Sequence, residues 1–197
     1  VGTCHTNHAV LLNRHTYSID SEKTLTSITG SKDHSFEQDN KYHIGSDGIS
    51  ILTSPVPELR KFYELINAYI PDPEKMILEL KSSNLRGRGG AGFPFWFKLD
   101  AAKKEENSQK YIVCNADEGD PGAYSDMYIM EHQSHKLLFG MYAAGKCVGA
   151  DTGVIYIRGE YPDSIRIMET AIEDLVQQKL LDHFSFKIIR GQGSYVC

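Results

Sequence analysis

Short apolar runs alternate with helical apolar spacing in the second half of the chain, and this alternation constrains the fold more than any other feature. The runs occupy 111–115, 153–158 and 184–189, each with the length and composition of a buried strand. Helical spacing fills 134–149 and 162–180 between them. Strands joined through helices pair in parallel by right-handed crossovers. The pattern therefore predicts an α/β fold with a Rossmann-like parallel sheet.

A helical lead-in precedes this region. Apolar residues recur at helical spacing over 57–68. A second helix is predicted to begin at Asp72 and Pro73, because aspartate caps helices and proline suits the first turn. A further short helix is predicted over 99–106.

The first part of the chain lacks such order. Residues 1–50 are polar, and 31–41 has no apolar period, which predicts a loop or an extended arm. We therefore divide the chain into a polar N-terminal arm of unknown role (1–54), a helical lead-in (55–84) and an α/β domain (85–197).

Four glycines lie within the six positions 87–92, between Arg86 and Pro94. Glycine has no Cβ, so its N–H groups can turn towards an anion, and the forked guanidinium groups of Arg86 and Arg88 suit phosphate oxygens. The stretch predicts a phosphate-binding loop, with a mobile linker as the alternative. Its glycines follow a predicted helix, and no Gly-Lys-Ser/Thr occurs, which argues against both the P-loop and the dinucleotide fingerprint.

An acidic loop (115–122) follows the first predicted strand and contains the carboxylates Asp117, Glu118 and Asp120. Ligands of parallel α/β sheets bind beyond the carboxyl ends of the strands. Carboxylates repel phosphate but accept hydrogen bonds from hydroxyl, amide and ring N–H groups, or bind a hard cation. With the glycine loop, this loop predicts a site for a phosphorylated, hydroxyl-rich cofactor. A solvated acidic turn and a cation-binding domain are the alternatives.

Composition and net charge argue against several classes of protein. The net charge of −5 argues against a nucleic-acid binder, which presents a basic face. No apolar run approaches the roughly 20 residues that span a bilayer, and the N-terminus lacks the order of a secretory signal. None of the four cysteines (Cys4, Cys114, Cys147 and Cys197) lies within C-x-x-C distance of another, which favours a reducing compartment.

Two groups of histidines are candidate metal ligands. Cys4, His5 and His8 lie together but lack a fourth ligand. His132 and His135 lack a third ligand, so we interpret them as capping or packing residues. No metal site is predicted.

Five blocks of sequence occur in order over 85–197. They are Leu-Arg-Gly-Arg-Gly-Gly-Ala-Gly-Phe-Pro followed by Lys98 (85–98), Asn-Ala-Asp-Glu-Gly-Asp-Pro-Gly (115–122), His-Lys-Leu (135–137), Tyr-Ile-Arg-Gly-Glu-Tyr (156–161) and Arg-Gly-Gln-Gly-Ser-Tyr-Val-Cys (190–197). Together they resemble the FMN- and NADH-binding flavoprotein (51 kDa-type) subunit of respiratory complex I. The same module occurs in NAD-linked hydrogenases and NAD-linked formate dehydrogenases.

The resemblance implies FMN-dependent oxidation of NADH, with a hydride passing to the flavin and electrons leaving singly towards iron–sulfur centres in partner subunits. Glu118 would be the catalytic residue, near the region of hydride transfer. The residues implied to bind FMN are Gly87, Arg88, Gly89, Lys98, Asn115, Asp117, Glu118 and Tyr195. Those implied to bind NADH are Phe93, which would stack on the adenine, and Asp120.

The chain departs from the family pattern at several positions. Phe95-Trp96 stands where the family has Thr-Gly, and this bulky pair is expected to reshape or block the NADH pocket. Alanine at 101 or 102 replaces a second adenine-stacking ring, for which Phe95, Trp96 or Phe97 is a substitute. The cysteine ligands of the family's [4Fe–4S] cluster are absent from this sequence.

Two functions remain open. The chain is either an FMN-dependent NADH dehydrogenase (diaphorase) module of a multisubunit complex, or a truncated, non-catalytic flavin- or nucleotide-binding assembly subunit. The expected partners are NADH and iron–sulfur subunits, with no nucleic acid. The expected location is the cytoplasm or an organellar matrix, peripheral to a membrane complex.

Overall fold

The computed structural model describes residues 9–12, 15–18, 50–56, 58–88 and 90–193, the first two ranges by their backbone only. The elements in chain order are β1 (Ala9–Leu12), β2 (His15–Ser18), α1 (Leu59–Glu64), a 3₁₀ turn (Leu65–Ala68), α2 (Pro73–Ser82), α3 (Phe95–Lys104), β3 (Tyr111–Ala116), α4 (Ser125–His132), α5 (Ser134–Val148), β4 (Thr152–Ile157), α6 (Pro162–Gln177) and β5 (Ser185–Arg190).

Strands β3, β4 and β5 form a parallel sheet with β4 in the centre. Each crossover contains a helix, because α5 lies between β3 and β4 in the chain and α6 lies between β4 and β5. The register places Tyr156 beside both Asn115 and Ile189, so the three carboxyl ends meet at one edge. The predicted α/β fold with a parallel sheet is confirmed.

The main core joins this sheet to α5 and α6. Leu138 of α5, Ile155 of β4, and Met168 and Leu175 of α6 are all completely buried. Each such side chain contributes about 1.5–3 kcal/mol by leaving water. The core therefore fixes the level at which the strands end.

A second apolar cluster packs α2 and α3 against α5, with Ile77, Leu99 and Ala144 among its buried members. Just before β3, the Nζ of Lys110 donates to the carbonyls of Lys103 (3.0 Å) and Val148 (3.1 Å), at the C-terminal ends of α3 and α5. An ammonium group at these positions pairs carbonyls that a helix end leaves unsatisfied. The two helices therefore end side by side at the amino edge of the sheet.

Several predicted boundaries were wrong. Helix α3 begins at Phe95 rather than at 99, because Pro94 has extended backbone immediately before it. The first helix ends at Glu64, and the chain continues as a 3₁₀ turn. Asp72 precedes α2 as predicted, but its side chain makes no capping hydrogen bond.

Two kinds of regular structure were missed. Within the arm predicted to lack regular structure, β1 and β2 pair antiparallel, with Val10 opposite Tyr17. Apolar and aromatic residues at these positions favour strands, whereas the polar surroundings suggested a loop. The polar run at 31–41 lies outside the described residues. Helix α4 was also missed, because the carboxylate that caps its first turn, Glu118, lies seven residues before Ser125, outside the usual capping positions.

Within the described part of the chain, no helix is both long enough and apolar enough to cross a membrane.

Candidate functional site at the carboxyl edge of the sheet

The segments that follow β4 and β5 lie in direct backbone contact at the carboxyl edge of the sheet. The N–H of Gly191 donates to the carbonyl of Ile157 at 2.7 Å. An ideal Cβ on Gly159 would lie 2.7 Å from the carbonyl oxygen of Gly191, so a side chain at 159 would displace the backbone. The acidic loop, which follows β3, lies at this same edge.

Glu118 caps helix α4 from within the acidic loop. Its Oε1 accepts hydrogen bonds from the Ser125 hydroxyl at 2.8 Å and the Asp126 N–H at 3.2 Å. Its Oε2 accepts from the N–H groups of Asp126 (3.2 Å) and Met127 (3.4 Å) and from the Tyr161 hydroxyl (3.4 Å). The first turn of a helix has unpaired N–H groups and favours negative charge. The predicted catalytic residue therefore also has a structural role.

Arg158 follows β4 directly and contacts the acidic loop through its guanidinium group. One terminal nitrogen donates to the carbonyl of Glu118. Nε lies 3.8 Å from Asp117 Oδ1, and the other terminal nitrogen lies 3.6 Å from Glu160 Oε1. The guanidinium carbon lies 5.2 Å from the centroid of the Tyr161 ring. The side chain is only 15% exposed, so these charges interact with little screening by water.

Asn115 and Asp120 are the exposed members of the acidic loop among the predicted site residues. The Asn115 Oδ1 accepts a hydrogen bond from the N–H of Asp117 at 3.1 Å, a local turn typical of asparagine. The backbone carbonyl of Asp120 accepts from the N–H of Ala123 at 3.1 Å. Both side chains are thus accessible to a ligand on a loop with ordered backbone hydrogen bonds.

Two groups behind the acidic loop have shifted pKa values. Burial raises the pKa of Asp126, and the neighbouring Glu118 carboxylate raises it further. Burial also raises the pKa of the Cys114 thiol to about 11, with a smaller effect from Asp126. The Cys114 thiol is therefore protonated near neutral pH, as expected of a core residue rather than a nucleophile.

The glycine loop closes on itself like a short hairpin. Gly87 N–H donates to the Phe93 carbonyl at 2.9 Å, and Phe95 N–H donates to the Leu85 carbonyl at 3.0 Å. The Arg86 guanidinium donates to the Gly92 carbonyl at 3.1 Å and to the Asn84 side chain at 3.2 Å. In this conformation, Arg86 supports the loop rather than presenting its charge to an anion.

Two glycines give this loop its shape. Gly90 and Gly92 have φ values of 112° and 58°, in the region that favours glycine. An ideal Cβ on either would meet nothing within 4 Å, so the backbone there is open to an approaching ligand. The exposed side chains of Arg88 and Lys98 supply positive charge nearby in the sequence. Loop and charges together fit an anionic group.

Aromatic rings lie beside the glycine loop. Phe93 and Phe97 are 42% and 50% exposed, and their centroids are 5.6 Å apart in an edge-to-face arrangement. Lys98 Nζ lies 5.6 Å from the Phe93 centroid. Phe95 and Trp96 instead pack against the second apolar cluster. The bulky pair that was expected to obstruct the NADH pocket is thus partly buried, whereas Phe97 is exposed.

The directions of α3 and α5 place the glycine loop on the side of the molecule where the acidic loop lies. Helices α3 and α5 pack together and both end beside Lys110, at the amino edge of the sheet. They therefore run in the same direction, and their N-terminal ends point towards the carboxyl edge. The glycine loop directly precedes α3. None of the hydrogen bonds and ion pairs described for the glycine loop and the acidic loop joins one loop to the other.

Not all residues singled out from the sequence fall within the described ranges. Gly89 and Tyr195, implied to bind the flavin, and the Cys4, His5 and His8 group lie outside the described residues. His135 is half-buried, with Nε2 3.7 Å from Asp174 Oδ2. Among the residues that the structure describes, no cluster of three His, Cys, Asp or Glu side chains could hold a metal ion.

Sequence reasoning missed the network around the acidic loop. It assigned no role to Arg158, Ser125 or Tyr161. Only the position of Arg158 at the end of a predicted strand (153–158) signalled its proximity to the ligand edge. Its contact with Glu118 spans 40 positions of sequence, so it depends on the parallel register rather than on a local pattern.

Comparison with known proteins places this geometry in a family. The family model described as the Nuo51 FMN-binding domain matches residues 80–197. One of the subunits of an NADH-quinone oxidoreductase of Rhizobium meliloti is 42% identical over 147 residues, which cover 70% of this chain and 34% of that protein. The alpha subunit of the NAD-reducing hydrogenase HoxS of Cupriavidus necator is 36% identical over 134 residues, covering 64% of this chain and 22% of that protein.

A solved structure has a similar fold. In the crystal structure of an NAD+-reducing [NiFe]-hydrogenase in the H2-reduced state, a chain with 26% sequence identity superposes with a TM-score of 0.76. The match covers 100% of this chain and 36% of the hydrogenase chain. This sequence thus spans about a third or less of the length of these relatives. With 80–197 matched by the family model, the chain belongs to the Nuo51 FMN-binding domain family.

Proposed function

We propose that this chain binds FMN and NADH and contributes the NADH-oxidising site of a multisubunit complex. The observation that carries the proposal is the placement of two loops in this chain, which belongs to the family described above. An open glycine loop precedes α3, and an ordered acidic loop follows β3, on the side of the molecule towards which the carboxyl ends of the strands point. Similar NADH-quinone oxidoreductase and NAD-reducing hydrogenase subunits support the same activity.

The glycine loop suits the FMN phosphate better than the acidic loop does, because carboxylates repel phosphate. Gly87, Arg88, Gly89 and Lys98 would hold it, because backbone N–H groups and cations match phosphate oxygens. Asn115, Asp117 and Tyr195 would contact the rest of the flavin, since amide and carboxylate groups pair with its hydroxyl and ring N–H groups. Bound FMN supplies the hydride acceptor for NADH oxidation.

The exposed rings and the end of the acidic loop would bind NADH. Phe93 would stack on the adenine, and Phe97 supplies a second exposed ring beside it. Asp120 would accept hydrogen bonds from the ribose or the nicotinamide amide.

Glu118 would orient the reacting groups at the site. Its carboxylate is held by Ser125, Tyr161 and the first turn of α4. That fixed position limits its motion, as required of a group that supplies negative charge near the reaction.

A second function is favoured by the same contacts of Glu118. A carboxylate that is fully used in capping α4 is also what a non-catalytic flavin-binding assembly subunit would retain for stability. In either case, we propose iron–sulfur subunits as the partners. We propose the cytoplasm or an organellar matrix as the location.

An assay of FMN binding distinguishes the proposed flavin-binding function from that of a cation-binding domain. The purified chain is mixed with FMN, freed of unbound flavin by gel filtration, and assayed by flavin fluorescence. We expect stoichiometric retention in the wild type and at least about a tenfold loss of affinity in Gly92→Val, because a β-branched residue is strained at positive φ. Gly140→Val, on an exposed position of α5, is the matched control. Retention of Ca²⁺ but not of FMN would contradict the proposal.

A further inference from the structure

We propose that Arg158 is a positioning residue that fixes the acidic loop, and through it Asp117 and Glu118, against the carboxyl end of β4. The proposal rests on the proposed function for its consequence in cofactor binding. Its structural part, the fixation of the loop, stands on contacts within the chain itself.

The first step is the location of Arg158. It directly follows the central strand, whose neighbours are β3 on one side and β5 on the other. From there its side chain reaches the loop after β3, where it contacts the Glu118 carbonyl and the Asp117 carboxylate. Because β4 is anchored by Ile155 and Ile157, both completely buried, Arg158 extends from a rigid part of the fold.

The second step is the orientation of Arg158 itself. Glu160 Oε1 lies 3.6 Å from one guanidinium nitrogen, and the ring of Tyr161 faces the guanidinium group. The Glu160 side chain also lies close to the loop after β5, because its Oε1 is 3.7 Å from an ideal Cβ on Gly193. The Arg158 and Glu160 pair thus contacts the acidic loop after β3 and lies beside the loop after β5.

The third step is the chemistry of the side chain. A guanidinium group has five N–H donors in a planar fork and can serve a carbonyl and two carboxylates at once. A lysine ammonium group keeps the charge but not the fork. Without Arg158, Asp117 and Glu160 would be two carboxylates with unbalanced negative charge, and the Glu118 carbonyl would lose its charged donor. The acidic loop would then lose its fixed position.

Loop fixation can be measured directly in the full chain without flavin. Hydrogen–deuterium exchange is followed by mass spectrometry for peptides covering 115–122 in the wild type, Arg158→Lys and Arg158→Gln. We expect exchange in this loop to accelerate about tenfold or more, because a hydrogen bond to a charged group contributes about a factor of ten to a hundred. Peptides from α2 should be unchanged, which distinguishes local release from general unfolding. Arg166→Lys, at an arginine that is 69% exposed on α6, is the control and should match the wild type.

FMN affinity provides the second readout. We expect Arg158→Lys to raise the Kd for FMN about tenfold while the melting temperature stays near that of Arg166→Lys, since the fold keeps its core. Loop exchange in both Arg158 variants equal to that of the wild type would overturn the proposal, whatever the flavin result. Faster loop exchange together with unchanged FMN affinity would overturn the link to cofactor binding. A wild-type chain that retains no FMN would refute the proposed function, but the exchange data would still decide whether Arg158 fixes the loop.

Discussion

At the scale of single residues, His135 links stability to pH. Burial lowers its pKa below the ordinary 6.5, although the Asp174 carboxylate opposes the shift. The unfolded chain therefore binds a proton more readily than the folded chain does. Its contribution to the free energy of unfolding is fully present above pH 6.5 and is lost as the pH falls towards the folded-state pKa.

We predict that the fall in melting temperature between pH 7.5 and pH 5.5 is smaller for His135→Gln than for the wild type. Differential scanning fluorimetry at several pH values measures this difference. His183→Asn is the control, because His183 is 94% exposed and Asn tolerates its positive φ. Identical pH profiles for the wild type and His135→Gln would show that His135 is not responsible.

The site residues show which kinds of role a sequence can predict. Charge and glycine content were sufficient to select Gly87, Asp117 and Glu118 as candidates, because these chemical features are local. The capping of α4 by Glu118 and the contacts of Arg158 were not predictable in this way. The Arg158 contacts depend on which loops the parallel register brings together. The Glu118 cap depends on how the acidic loop folds against the helix that follows it.

At the scale of elements, α5 contains two glycines in different environments. Gly140 is exposed, and an ideal Cβ there would meet nothing within 4 Å. Gly145 is buried against Phe184, and an ideal Cβ there would come within 2.3 Å of Cε2 of that ring. A side chain added at position 140 would therefore meet open space, whereas one added at position 145 would clash with Phe184.

We predict that Gly140→Ala raises the free energy of unfolding by about 0.5–1 kcal/mol, because alanine favours helix over glycine. Gly145→Ala should lower it by about 1–3 kcal/mol, because the added methyl overpacks the contact with Phe184. Urea denaturation monitored by circular dichroism measures both changes. Equal stabilisation by the two substitutions would mean that α5 and Phe184 are not packed as described.

Element prediction succeeded where the apolar pattern was strong. Strand β3 begins at the predicted residue, and α5 ends one residue before the predicted limit, with Gly149 left-handed immediately after it. Prediction failed at α3 and α4. Helix α3 begins at Phe95, four residues before the predicted start, and α4 is capped by Glu118 of the acidic loop rather than by a residue in a usual capping position.

At the scale of the whole molecule, the sheet and its helices orient the two candidate loops towards one side. The side-by-side ends of α3 and α5 at Lys110 direct the glycine loop towards the carboxyl edge, where the acidic loop also lies. The alternating pattern was enough to predict the α/β class and the parallel sheet. The direction of α3 relative to the sheet was not predictable, because it depends on tertiary packing against α5.

An anaerobic titration measures whether the flavin site that we propose for this chain oxidises NADH. The FMN-loaded chain is titrated with NADH while the visible absorbance of the flavin is recorded. We expect stoichiometric bleaching by NADH, with a weaker response in Phe93→Ala, which would remove the ring proposed to stack on the adenine. Retained flavin that dithionite bleaches but NADH does not would refute NADH oxidation at this site and favour the non-catalytic assembly subunit.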